Sequence, residues 1–172
     1  MPDDPSAADQ GGRENFHLKL ETETIAQVVS ADPLCVEEET KTRDVLRLLR
    51  QQRRGCALIC RAGRLVGIFT ERDALRLLAT AGTQDEALLD QPVSAVMVQN
   101  PVTIETGAPV AEAIRKMSRG GYRRLPVVDA EGRPVGVMKV SGILHYFVEH
   151  FPKCVYTLPP HPHHAMQERE GA

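Results

Sequence analysis

The two halves of this 172-residue chain are copies of one another, and nothing else in the sequence restricts the fold as strongly. Val28, Pro33, Val36 and Glu37 recur as Val96, Pro101, Ile104 and Glu105, an offset of 68 from Pro33 to Pro101. Val45, Leu46 and Leu49 recur as Ala113, Ile114 and Met117. The offset then reads as 69, with Ala57-Leu58-Ile59 on Pro126-Val127-Val128, Gly63-Arg64 on Gly132-Arg133, and Val66-Gly67-Ile68 on Val135-Gly136-Val137. On this alignment Arg54 matches Arg123. A repeat of this period is one supersecondary unit built twice, each copy too small to bury its apolar face alone.

Within a unit, an extended segment such as Pro33 to Glu37 leads into apolar residues at helical spacing, Val45, Leu46, Leu49 and again Val110, Ile114, Met117. Two β-rich runs follow, Cys56 to Cys60 and Leu65 to Phe69, parted by Arg61-Ala62-Gly63-Arg64, where glycine permits a tight turn. Asp129 to Pro134 parts the corresponding runs of the second half. A closing helix is expected over Glu71 to Ala79 and over Gly142 to Glu149. The unit is β-α-β-β-α, so the fold is α/β: two three-stranded sheets, one per repeat, packed sheet against sheet with clefts between them. The boundaries are a disordered tail over 1–15, repeat 1 with an added N-terminal strand over 16–82, a linker over 83–91, repeat 2 over 92–150, and a proline- and histidine-rich tail over 151–172. The added strand rests on Phe16, Leu18 and Leu20 alternating with His17, Lys19 and Glu21.

Composition removes several classes of function. Net charge is -2, so no global basic field holds nucleic acid or an anionic membrane. No apolar run approaches the roughly 20 residues that span a bilayer, and the N-terminus is acidic, so the cytosol is the expected compartment. Cys35, Cys56, Cys60 and Cys154 lack the spacing of a zinc site or a disulfide framework and read as reduced thiols. His161, His163 and His164 have no carboxylate or cysteine at fixed spacing, so no metal site is assigned. Ser118-Arg119-Gly120-Gly121 is a single copy of an RNA-binding-like element and carries no assignment. No nucleophile elbow, P-loop or paired catalytic carboxylates are present, so no catalytic residue is named.

The strings Gly67-Ile68-Phe69-Thr70-Glu71-Arg72-Asp73 and Tyr122-Arg123-Arg124-Leu125-Pro126-Val127-Val128-Asp129 carry a specific resemblance to the CBS repeat family, extending over about Ile25 to Glu149. The resemblance implies tandem β-α-β-β-α CBS repeats packed as a disc-like, pseudo-two-fold pair whose clefts take AMP, ADP or ATP, with S-adenosylmethionine ranked behind them. It assigns the ribose to Thr70 and Asp73, and the phosphates to Arg123, Arg124 and Arg54. Thr-x-x-Asp at a strand-to-helix junction is also a helix capping box, a role compatible with ligand contact. Adenine asks for an apolar slot, for which Cys35, Val36, Ala57, Leu58, Ile59 and Ile68 are the candidates; for each of them plain core is the competing assignment. Tyr122 is a candidate for the cleft rim. In the second half Lys139 replaces the threonine and Gly142 the aspartate, so one competent site is expected.

The function implied is a regulatory module that passes nucleotide state to an effector protein or across a homodimer interface, the latter carried by Leu75, Leu78, Ile143 and Phe147. The alternative is a ligand-free scaffold serving as a dimerisation or protein-interaction module.

Overall fold

A computed structural model describes residues 20–29, 32–81 and 86–150. In chain order these form α1 (Ile25–Val28), β1 (Cys35–Glu37), α2 (Thr42–Gln51), β2 (Cys56–Arg61), β3 (Arg64–Thr70), α3 (Glu71–Ala81), α4 (Glu86–Asp90), a 3-10 turn (Val93–Ala95), β4 (Val98–Gln99), β5 (Ile104–Glu105), α5 (Val110–Gly120), β6 (Arg124–Val128), β7 (Pro134–Lys139) and α6 (Val140–His150). Each half is the expected β-α-β-β-α unit. None of the helices among the described residues is long and apolar enough to cross a membrane.

Helices α2 and α5 form where apolar residues recur on one face: Val45 and Leu49 are buried on α2, and Val110, Ala113 and Met117 on α5. Helix α5 stops at Gly121, whose left-handed backbone (φ 64°) lets its N–H reach the Met117 carbonyl. The sheets run β1-β2-β3-β4 and β5-β6-β7. In both, the first strand is parallel to the second and the next two are antiparallel. The first sheet exceeds the expected three strands because β4, from the second half, adds to its edge, pairing Val98 with Ile68 and Gln99 with Gly67.

Strand alternation divides the side chains between two environments. Ala57, Ile59 and Phe69 join Val45 and Leu49 in one core, while Leu58 and Ile68 turn to the seam between the repeats, where Val137 packs on them. Leu125, Val127 and Met138 join Val110 and Met117 in the other core.

The segment leading into each repeat packs on the other repeat. Ile25, fully buried, belongs to the core of the second half, and Val93, fully buried, to the core of the first. The backbone bonds that hold these segments are equivalent pairs with partners exchanged. Ile25 N–H donates to Ala108 O (2.9 Å) as Val93 N–H does to Thr40 O (2.8 Å). Ala26 donates to Thr106 O as Ser94 does to Glu38 O, and Val110 to Glu23 O as Thr42 does to Gln91 O. This crossing binds two small units into one pseudo-two-fold body. It also departs from the expected added strand over 16–21: Leu20 to Thr22 are helical, and Leu20 is buried in the second core. Residues 16–19, like the two tails and residues 82–85, lie outside the described residues.

Strand register corrects the repeat alignment. Val36 pairs with Ile59, and its counterpart Ile104 with Val127, so the offset is still 68 on β6. The extra residue enters in the hairpin, where Ile59 opposes Gly67 but Val127 opposes Gly136. The second turn is longer because Asp129 is built into it, its carboxylate accepting the N–H groups of Glu131 (3.0 Å) and Arg133 (2.8 Å). Arg54 therefore corresponds to Tyr122, Gly55 to Arg123 and Cys56 to Arg124; a one-residue slip on a strand exchanges its two faces.

Of the four residues expected to offer an apolar surface on the closing helices, the two of the first repeat are at the surface and the two of the second are not. Leu75 and Leu78 are exposed, at 69% and 48%. Ile143 is buried and Phe147 half-buried against the second core, and α6 instead exposes Val140, Leu144 and Val148, spaced four apart.

Candidate functional site

Two clefts open at the seam between the repeats. The larger, about 800 Å³, is lined by Thr70, Asp73, Tyr122, Arg123 and Arg124 together with Ile68, Val98, Pro101 and Val102. The smaller, about 450 Å³, is lined by the pseudo-symmetric set that includes Pro33, Leu34, Arg54, Lys139 and Gly142.

The end of β3 and the start of α3 position the first polar pair. Thr70 N–H (2.9 Å) and Oγ1–H (2.6 Å) both donate to Asp73 Oδ2, and Asp73 N–H donates to Thr70 Oγ1 at 3.4 Å. This is a reciprocal capping box, and it holds the Asp73 side chain, 12% exposed, at the cleft wall. All the box's carboxylate contacts fall on Oδ2; Oδ1 has Arg76 at 3.9 Å. An anchored carboxylate with an oxygen outside the box can accept hydrogen bonds from vicinal hydroxyls.

Across the cleft, Arg123 immediately precedes β6 and Arg124 opens it, Arg123 exposed and Arg124 half-buried. Arg72 and Arg76 on α3 and Lys139 at the end of β7 also line the cleft and add positive charge, against the carboxylates of Glu71 and Asp73. The excess of cations suits an anionic ligand. Its field reaches Cys56 at the seam, where burial pushes the thiol up from its usual range while Arg124 and Lys139 pull it down.

The remaining residues named from sequence are placed as follows. Arg54 lines the smaller cleft, away from Arg123 and Arg124, and is ion-paired with Asp32. Of the six adenine-slot candidates only Ile68 lines the cleft of Thr70 and Asp73. Ala57, Leu58 and Ile59 are fully buried and have no surface to offer a ligand. Cys35 and Val36 line a separate depression of about 290 Å³ beside Cys60 and Arg133. The slot assignment is corrected accordingly: the apolar wall is Val98, Pro101 and Val102, the residues leading into the second repeat, because the crossing carries them to the first sheet. The 68-residue offset pointed to them, since Pro101 is the counterpart of Pro33, but a repeat pattern does not say which sheet a leading segment joins. Arg72 and Arg76 were also missed; they face the cleft because they share a helix with Asp73.

Lys139 and Gly142 occupy the positions of Thr70 and Asp73 in the smaller cleft. Nothing there reproduces the hydroxyl–carboxylate pair. Among the described residues no group of three metal-ligating side chains occurs. His161, His163, His164 and Cys154 lie outside them.

Comparison with known proteins supplies the family. The model of the CBS domain matches residues 25–80 and 93–149. A CBS domain-containing protein of Dictyostelium discoideum is 38% identical over 105 residues, covering 57% of this chain and 69% of that protein. A CBS domain-containing protein of Arabidopsis thaliana is 37% identical over 91 residues, where the match covers 52% of this chain but 16% of the longer relative. Among solved structures, a CBS domain protein from Pyrobaculum aerophilum complexed with AMP superposes with a TM-score of 0.62 at 28% identity, over 70% of this chain and 89% of that one. Two matched domains and a repeat with exchanged leading segments agree: the chain belongs to the CBS domain family and is built from a tandem pair of CBS domains.

Proposed function

We propose that the chain is a regulatory module that binds one adenine nucleotide in the larger cleft and catalyses no reaction. Thr70 and Asp73 take the ribose hydroxyls, Arg123 and Arg124 the phosphate, and Val98, Pro101, Val102 and Ile68 flank the base. The observation that carries this reading is the convergence on one cleft of a hydroxyl–carboxylate pair from the first repeat and an arginine pair some fifty residues later in the second. The AMP held by the Pyrobaculum aerophilum relative supports the same ligand class. AMP, ADP and ATP are the ligands proposed, ahead of S-adenosylmethionine.

Ligand state acts on an effector or on a second copy of the chain in the cytosol, because a nucleotide bridging the repeats favours one relation between them. The exposed residues Leu75, Leu78, Leu144 and Val148 are the surface proposed for that contact. Those same residues, with the unclamped smaller cleft, favour the second reading, a scaffold that dimerises without ligand. Calorimetric titration of AMP, ADP, ATP and S-adenosylmethionine decides between them. A nucleotide binding at one per chain is expected; heat from none of the four overturns the nucleotide reading, and two per chain overturns the single clamp.

A further inference from the structure

Arg124, assigned above to the ligand phosphate, already faces an anion supplied by the chain. Its Nη2 lies 3.7 Å from Oε2 of Glu71, the first residue of α3 in the opposite repeat. The pair sits above Gly55: a Cβ built on that glycine would collide with the Arg124 guanidinium and come within 3.0 Å of Glu71 Oε2. Gly55 O also accepts the Glu71 N–H at 3.2 Å, which fixes the carboxylate's root. Gly55 lines the smaller cleft and the two charged residues the larger, so the ion pair lies on the partition between them and joins the two repeats.

The arrangement exists on one side only. The residue matching Glu71 is Val140, whose N–H donates to Arg123 O as that of Glu71 does to Gly55 O, and the residue matching Arg124 is Cys56. At this pair of positions charge is therefore found only on the side of the cleft that also holds Thr70 and Asp73.

A carboxylate and a phosphate compete for the same guanidinium donors, and the phosphate, with more charge and more acceptor oxygens, is the stronger partner. Glu71 is 66% exposed, so a displaced carboxylate returns to water at little cost. We propose that Glu71 is an internal competitor for Arg124: it pairs with the guanidinium in the empty module, is displaced by the nucleotide phosphate, and so sets the affinity of the site while tying its occupancy to an inter-repeat contact. The proposal rests on the nucleotide reading above. Glu71 acts through Arg124 and is a positioning residue.

The test is an AMP titration of the full chain as wild type, Glu71→Gln, Arg124→Gln and the double variant, at low and high salt, well below each variant's melting temperature. Glu71→Gln should tighten AMP about 2- to 5-fold, the scale of an exposed ion pair, and the gain should shrink as salt rises. In the Arg124→Gln background the same substitution should change nothing, since the competition has lost its object. Equal tightening in both backgrounds identifies a general charge effect and overturns the proposal, as does unchanged or weaker binding by Glu71→Gln while the wild type binds. Binding detectable only after Glu71→Gln supports it. Absence of AMP binding in all four proteins overturns the competition for AMP, and absence of ADP and ATP binding as well overturns the nucleotide reading.

Discussion

Asp73 carries two assignments, a helix cap and a ribose acceptor, and Asp73→Asn separates them. Asp73 Oδ2 accepts from Thr70 N–H and Oγ1–H at 2.9 and 2.6 Å. An asparagine keeps one carbonyl oxygen in that place, so the box survives, and the change in stability should stay within about 0.5 kcal/mol, or roughly 2 °C in Tm for a chain of this size. The second oxygen becomes an amide that donates where ribose hydroxyls need an acceptor, and the charge is lost. Hydrogen bonds to an ionised acceptor contribute about 1.5–3 kcal/mol, so AMP affinity should fall about 10- to 100-fold. Asp73→Ala should show the same loss of affinity together with a cap loss of about 1 kcal/mol, or roughly 3 °C. Calorimetry with AMP and thermal melts of the unliganded proteins read the two quantities apart. Undiminished AMP binding by Asp73→Asn would show that the carboxylate does nothing but cap α3, and the ribose assignment would fall.

Three further substitutions or conditions test other parts of the argument. Lys139→Thr with Gly142→Asp rebuilds the clamp in the smaller cleft, where a Cβ on Gly142 meets nothing within 4 Å, and should raise calorimetric stoichiometry from one nucleotide per chain toward two. Ile25→Ala should cost about 2–5 kcal/mol as a core truncation. Hydrogen exchange should rise over the second repeat rather than the first, because Ile25 is buried among Ile104, Val110 and Met117. Burial pushes Cys60 up to about 12 from 9.0, with Cys35 beside it acting in the same direction. The unfolded chain then releases that proton first, so the thiol should resist alkylation at pH 8, and its contribution to stability should be lost between pH 9 and 12 in denaturant titrations.

The repeat made the architecture legible because hydrophobic periodicity at an offset near 68 is enough to specify a β-α-β-β-α unit twice. Thr70, Asp73, Arg123 and Arg124 were legible for the same reason: their motifs sit at element junctions whose geometry is local. What failed was whatever depended on partners distant in sequence. Alignment by residue type placed Arg54 opposite Arg123, whereas pairing of Ile59 with Val36 and of Val127 with Ile104 makes Tyr122 its counterpart. Likewise Ala57, Leu58 and Ile59 match an apolar slot in composition, yet as a central strand they are covered on both faces. Val98 and Val102 were read as belonging to the second repeat, and only β4 pairing with β3 brings them beside Thr70.

The same pairing explains why a duplicated fold carries one clamp. Each cleft is built from both repeats, so on the proposed nucleotide reading a complete site needs a sugar-binding pair from one half and cations from the other, not both from each. At matched positions the first repeat has Thr70, Asp73 and Cys56, and the second has Lys139, Gly142 and Arg124. Had the cations been duplicated, a second arginine would stand where Cys56 is now, a site 94% shielded from solvent to judge by its 6% exposure, and already within the field of Arg124, Lys139 and Arg54. A fourth cation there would lose most of its hydration and meet three like charges against the single carboxylate of Glu71, which Arg124 already engages. Cys56, a small neutral side chain, avoids that cost and leaves the cationic field directed into the cleft of Thr70 and Asp73. Cys56→Arg should accordingly destabilise the folded chain by several kcal/mol, whereas Cys56→Ser should be tolerated with the cleft intact; an arginine accepted at this position without loss of Tm would refute the electrostatic account of the asymmetry.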